Sequence, residues 1–176
     1  IGYFTLLAAS IVGKSGHVLS YEPNPANMDV LKHNIEMNHF HWVNPIQEAV
    51  GNYTGETDFY VSNEQWGGSL VKVGHKQSIR VFIGKLDNYR FRRNIRLLKI
   101  DTDGSDFEVL KGAESLIRSG RVESIITEIY PDGIKAAGST VKEFYNYISS
   151  FGMGNMYLID NDKIKPCEDL LEIKIK

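Results

Sequence analysis

The chain has 176 residues, 42% of them apolar and 24% charged, the proportions of an ordinary globular domain rather than of a disordered or membrane-embedded one. A formal charge of -2, from 20 Lys and Arg against 22 Asp and Glu, argues against broad electrostatic binding of nucleic acid or of an anionic membrane and favours a small partner of little charge. Cys167 is the single cysteine, which excludes an intrachain disulfide; with no apolar run long enough to span a bilayer and no signal pattern, a cytoplasmic setting is expected.

In chain order, Gly2 to Val12 carries a helical apolar pattern that stops at Gly13, and His17 to Tyr21 reads as a strand ending on Glu22. Asn24 as N-cap and Pro25 at the first helical position predict a helix to about Asn38, with Met28, Leu31 and Ile35 as its buried stripe. Trp42 to Ile46 is a third strand, with Glu48 and Ala49 at its carboxyl end. Thr57 to Val61 and Ile79 to Ile83 alternate with period two and predict an antiparallel hairpin, with Trp66-Gly67-Gly68-Ser69 between its arms. Leu97 to Ile100 is a short buried strand. Asp101, Asp103 and Asp106 follow it, and Ser105 with Glu108 predicts a capping box opening a helix whose face is Phe107, Leu110, Ala113 and Ile117. Glu123 to Ile129 is the next strand, with Glu128 near its end. Thr140 and Glu143 form a second capping box before an amphipathic helix, and strands at Asn155 to Ile159 and Leu170 to Ile175 close the chain.

Strands alternating with helices predict a single α/β domain over residues 1–176. The expected architecture is Rossmann-like and doubly wound, a mostly parallel sheet with an antiparallel edge strand and an inserted β-hairpin. A helix at the very start implies that the sheet's first strand lies upstream of Ile1. In such sheets ligands bind at the carboxyl ends of the strands, where Glu22, Asp101, Asp103 and Glu128 stand. Glu22 follows Gly2 by 20 residues, the spacing at which an acid accepts hydrogen bonds from ribose hydroxyls.

The segments IGYFTLLAAS, YEPNP followed by Asn34-Ile35, LLKIDTDGSDFEVLKGA and IITEIYP resemble, in this order and over nearly the whole chain, the FkbM family of S-adenosylmethionine-dependent methyltransferases. In that family an Asp-x-Gly-x-x-x-Gly loop precedes the first helix; here Gly2 is its final glycine, and Asp103 and Asp106 stand where Glu is usual. The resemblance implies that Gly2 and Tyr3 approach the methionine moiety of S-adenosylmethionine and that Glu22, flanked by Pro23 and Asn24, holds the ribose. It further implies that Glu48 and Ala49 border the adenine, and that Asp101 faces the sulfonium. The acceptor it implies is a hydroxyl of a small molecule such as a sugar or secondary metabolite. An alcohol nucleophile is aided by a base, for which Asp101, Asp103 and Glu128 are the candidates; the alternative is that these oxygens hold Mg²⁺. No dedicated metal-ligand spacing is present, and His39 and His41 read as surface residues. A cofactor-deficient Rossmann-like binding module is the rival reading. A nucleic-acid methyltransferase is disfavoured because Asp101-Thr102-Asp103-Gly104 replaces the Asn/Asp-Pro-Pro-Tyr/Phe that grips a base, and a dehydrogenase because no Gly-x-Gly-x-x-Gly occurs.

Overall fold

The computed structural model describes residues 1–61, 67–72, 77–160 and 163–167. Gly2 takes a left-handed φ of 83° and turns the chain into α1 (Tyr3–Val12), which Gly13 ends at φ 62°. β1 (Val18–Tyr21) leads to α2 (Pro25–Met37), which starts as the sequence predicts: Asn24 is extended, and its side chain accepts a hydrogen bond from the Ala26 amide at 3.0 Å. β2 (Val43–Ile46) runs parallel to β1 with Tyr21 opposite Ile46. Ala9, Met28, Leu31, Ile35 and Val43 form the core between these elements; burying Met28 or Leu31 contributes roughly 1.5–3 kcal/mol each. The Trp42 indole closes this unit by donating to the Ala9 carbonyl at 2.9 Å.

The expected hairpin is present as β4 (Gly55–Val61) antiparallel to β6 (Gln77–Gly84), in a register running from Gly55 opposite Ile83 to Val61 opposite Gln77. It forms part of a mixed sheet: β3 (Ala49–Val50) lies parallel to β6, and β5 (Gly68–Ser69) pairs with β4. Trp66, expected between the arms, lies outside the described residues. Beyond a 3₁₀ turn at Leu86–Asn88, β7 (Leu98–Ile100) pairs in parallel with β8 (Ile125–Thr127), Ile100 standing opposite Thr127.

Between β7 and β8 the structure corrects two expectations. The single helix expected there is two, α3 (Asp106–Gly112) and α4 (Glu114–Arg118), meeting at Ala113. The restart has a cause remote in sequence: the Asp87 carboxylate accepts from the backbone amides of Ser115 at 3.0 Å and Leu116 at 2.9 Å, capping α4 from outside. The predicted Ser105–Glu108 capping box does not form. Ser105 has φ -92° and ψ 5° rather than the extended backbone an N-cap needs, its hydroxyl is buried without a partner, and Glu108 pairs with Lys111 at 2.7 Å.

The Thr140–Glu143 capping box does form, at the start of α6 (Val141–Ser149), and α6 buries Phe144 against Phe107. A short helix absent from the sequence reading, α5 (Pro131–Ala136), precedes it with Pro131 at its first position. β9 (Tyr157–Asp160) pairs antiparallel with β10 (Lys163–Pro166); the strand expected at 170–175 lies outside the described residues. The result is a mixed α/β fold. Among the described residues the strands form separate sheets, β1-β2, β7-β8, β9-β10 and the hairpin sheet, rather than one continuous doubly wound sheet, because β1 and β7 each hydrogen-bond a neighbour on one side only.

The hairpin sheet is fixed to α3 where Gly112 meets the backbone of Gly51, a contact in which any Cβ on residue 112 would overlap the Gly51 carbonyl. Backbone cannot yield as a side chain can. Gly112→Ala is therefore expected to lower stability by about 3 kcal/mol, the upper range for overpacking, read as a drop in the urea midpoint.

Candidate active site

Two parallel pairs carry acids to their carboxyl ends. Glu22 follows β1 and donates its amide to the Ile46 carbonyl at 3.0 Å, so it leaves the sheet beside the segment that carries Glu48. Its carboxylate accepts from the Asn24 amide at 2.9 Å and from the Asn27 side chain. Asn24 thus serves twice, presenting its amide to Glu22 while its side chain caps α2. Burial pushes the Glu22 carboxyl up from its ordinary 4.5, opposed by these hydrogen bonds. Pro23 between them is half-buried.

Gly2 sits over α2, where a Cβ would approach Leu31 Cδ1 at 2.6 Å, and the Asn34 side chain donates to the Ile1 carbonyl at 3.0 Å. Asn34 therefore secures the turn that opens α1. Tyr3 is 72% exposed at this helix start. One turn on, the Thr5 hydroxyl bonds that of Ser20 in β1 at 2.7 Å, and the Phe4 ring lies 4.0 Å from the Lys99 ammonium. Lys99 pairs with Asp101 at 2.5 Å, as a lysine in a mostly buried strand requires. Phe4, Lys99 and Asp101 thus bring the β7 strand end to the start of α1.

Asp101 and Glu128 leave β7 and β8 directly after the paired residues Ile100 and Thr127. The Glu128 carboxyl is raised, first by partial desolvation and then by the charges of Asp101, Asp106 and Asp103, against a smaller opposing effect of Lys99. Asp103 is exposed and sits at φ 48°, an uncommon conformation outside glycine; the Ser69 hydroxyl holds its carbonyl at 2.9 Å. Gly104 follows at φ 101°, packed on Gly133 of α5 with no room for a Cβ. Beneath this loop Asp106 is 1% exposed, and its two oxygens accept from Thr102 at 2.9 Å and from Thr127 at 3.2 Å. One carboxylate therefore ties the residue between Asp101 and Asp103 to the residue before Glu128.

Glu48 and Ala49 part company. Glu48 accepts a short hydrogen bond from the Tyr89 hydroxyl, whereas Ala49 is buried with Phe59, Val81 and Ile83 under the hairpin. Sequence reasoning missed Tyr89, Asn27 and Thr127; each acts across at least four positions of chain, and only the Asn27 spacing from Glu22, one helical turn past the proline, could have signalled its role. His39 and His41 lie with ring centroids 6.4 Å apart. Among the described residues no group of three or more His, Cys, Asp or Glu side chains is placed to hold a metal ion.

Parallel strands that deliver carboxylates to their ends, next to a glycine turn opening a helix, define an α/β protein of the kind that binds a ligand at strand termini. A family model described as the methyltransferase FkbM domain matches residues 1–153, and the chain belongs to that family of methyltransferases. No curated protein and no solved structure matches the chain. No helix among the described residues is long and apolar enough to cross a membrane.

Asp106→Ala should leave two threonine hydroxyls unsatisfied in a buried cavity, with a loss of about 2–4 kcal/mol by chemical denaturation. Asp106→Asn keeps the shape and removes the charge. It should cost less, and carboxyl ¹³C titration should then find the Glu128 pKa lower than in the parent; an unmoved Glu128 would show that Asp106 does not act on it.

Proposed function

We propose that residues 1–176 belong to a single Rossmann-like domain in which the separate β1-β2 and β7-β8 pairs are parts of one doubly wound layer, and that it transfers a methyl group from S-adenosylmethionine to a hydroxyl of a small molecule such as a sugar or secondary metabolite. The observation that carries the reading is the methyltransferase FkbM family match over residues 1–153, together with the placement of Asp101 and Glu128 directly after the paired ends of β7 and β8, where partial desolvation and the neighbouring aspartates raise the Glu128 carboxyl. A carboxylate in that setting is a better proton acceptor than an ordinary surface glutamate.

Bound S-adenosylmethionine supplies an electrophilic methyl on a sulfonium; the residues present fit it. Gly2 lets the backbone approach closely at the start of α1, with Tyr3 beside it. Glu22, held by Asn24 and Asn27 and followed by Pro23, offers its remaining lone pairs to the two ribose hydroxyls. Glu48, oriented by Tyr89, and the Ala49 backbone border the adenine. Asp101, neutralised in part by Lys99, faces the positive sulfonium. Glu128, raised first by partial desolvation and then by the charges of Asp101, Asp106 and Asp103, would accept the proton of the acceptor hydroxyl. Orientation is the larger contribution, since effective molarities of about 10⁵ M or more are within reach of a well-positioned pair. The partner is a small hydroxyl acceptor rather than nucleic acid or membrane, consistent with the charge of -2, and a cytoplasmic location accords with the single cysteine.

Calorimetry with S-adenosylhomocysteine should register binding, and no heat at millimolar ligand would defeat the reading. Glu22→Gln should weaken that binding by about tenfold or more, as expected for lost charge-assisted hydrogen bonds. It should also act on stability in the opposite sense. Because burial favours the protonated form of Glu22, the folded state holds that proton more tightly than the unfolded chain. The stability this lends is complete below the ordinary 4.5 and is lost as pH rises through the folded value. The glutamine variant should therefore lose less stability than the parent between pH 4 and 7, measured by urea unfolding across that range.

A further inference from the structure

A groove of about 330 Å³ lies between the hairpin sheet and the first turn of α3, at the lower end of the range for small-molecule sites, roughly 300–1,000 Å³. Tyr53 and Tyr60 line it on the hairpin side, Ser105 and Glu108 on the α3 side, and Ala137 after α5 closes one end. We propose that this groove is the acceptor subsite, holding a neutral hydroxylated ring compound; the assignment rests on the methyl-transfer reading above and adds where the acceptor binds.

Three observations carry it. First, the Ser105 hydroxyl is buried and has no hydrogen-bond partner, although the residue is 2% exposed and lines the groove. A buried hydroxyl left unpaired is costly, and a hydroxyl of a bound molecule would satisfy it. Second, the groove is registered to the acids. The Ser69 hydroxyl donates to the Asp103 carbonyl at 2.9 Å and accepts from the Val71 amide at 3.0 Å, so one side chain joins the groove's lip to the loop bearing Asp101 and Asp103. Ser105 itself is two residues past Asp103 on that loop. Third, the lining sets the ligand's character. The charged side chains that line it are one Lys and one Glu, Lys72 and Glu108, so the lining carries no net formal charge and favours a neutral molecule. The tyrosine rings offer flat apolar faces with polar rims, the surface against which a hydroxylated ring packs.

The test titrates methyl α-D-glucopyranoside, methyl α-D-mannopyranoside and myo-inositol into the 176-residue chain and follows backbone amide shifts. At least one probe should shift Tyr60, Leu70, Val71 and Ser105 together. Ser105→Ala should weaken that binding by about threefold or more while raising the melting temperature, because it removes an unpaired buried hydroxyl that only the ligand satisfies. Tyr60→Ala, at a half-buried position on the hairpin side of the groove, should weaken it by about fivefold or more through lost ring packing. Shifts confined to other surfaces, no shifts with any probe, or unchanged affinity in both variants would overturn the assignment. S-adenosylhomocysteine calorimetry on the same samples separates the two failures. Normal cofactor binding without groove shifts overturns the subsite alone, whereas absent cofactor binding removes the methyl-transfer reading and the acceptor role with it.

Discussion

The Asp106 carboxylate is the constraint on which the candidate site depends. It is buried, and a buried charge is tolerated only when its oxygens are hydrogen-bonded. The partners are two threonine hydroxyls, Thr102 from the loop after β7 and Thr127 from the end of β8. Backbone pairing of β7 with β8 stops at Ile100 and Thr127, so beyond that point no ladder hydrogen bond fixes the spacing of the two strand ends. Asp106 does so. Moving either threonine away would strand a carboxylate in the core, which is why the loop holding Asp101 and Asp103 stays in register with Glu128. The same charge also contributes to the raised Glu128 carboxyl, coupling the position of that group to its basicity.

A second set of contacts does for β1 what Asp106 does for β7. Glu22 is oriented by the amide of its own N-cap residue, Asn24, and by Asn27 one turn into α2. The start of α1 is held to α2 by Asn34 and Leu31, and to β1 by the Thr5–Ser20 bond. Two side chains join the halves: Tyr21 of β1 packs against the core around Ile100 and edge-on to Tyr89, and Lys99 reaches across from β7. Its ammonium lies against Phe4 of α1 and pairs with Asp101 after β7, so a cation bridges an aromatic face and a carboxylate on different elements. With β1 and β7 not hydrogen-bonded to each other, such side-chain links carry the geometry that a continuous sheet would otherwise impose.

What could be read from the residues was what depends on near neighbours. Asn24-Pro25 specified a helix start, Thr140 with Glu143 specified another, and the two-residue alternation of 57–61 and 79–83 specified the hairpin; each is a local rule and each held. Strand-end acids were legible for the same reason, since the residue after a strand is fixed once the strand is. Ser105 with Glu108 obeys the same local rule as Thr140 with Glu143, yet there the rule failed. The loop from Asp101 is bent by Asp103 at φ 48° and Gly104 packed on Gly133, and this leaves Ser105 with the wrong backbone for a cap. The break at Ala113 was equally hidden, because the group that caps α4 is Asp87, 28 residues away from Ser115. Short α5 gave only a proline as its signal. Contacts that close over such distances have no periodicity to reveal them.

The acids of the candidate site are set in different surroundings by different neighbours. Glu48 accepts from the Tyr89 hydroxyl, and Gly84 leaves the space in which they meet, since a Cβ there would stand 3.3 Å from that hydroxyl and 3.4 Å from the carboxylate. Burial and the Glu48 charge raise the Tyr89 phenol, and the Tyr21 phenol packed edge-on to it is pushed up to about 12. Both remain neutral near pH 7, so Tyr89 is a permanent donor and Glu48 a fixed acceptor with one oxygen committed. Glu128 stands among carboxylates, and its carboxyl is raised first by partial desolvation and then by the charges of Asp101, Asp106 and Asp103, against the smaller opposing effect of Lys99. An acid pinned by a neutral phenol is suited to holding a ligand in place, and an acid crowded by other acids is suited to moving a proton. The same residue type at two strand ends is thus given opposite surroundings by what the fold packs against it.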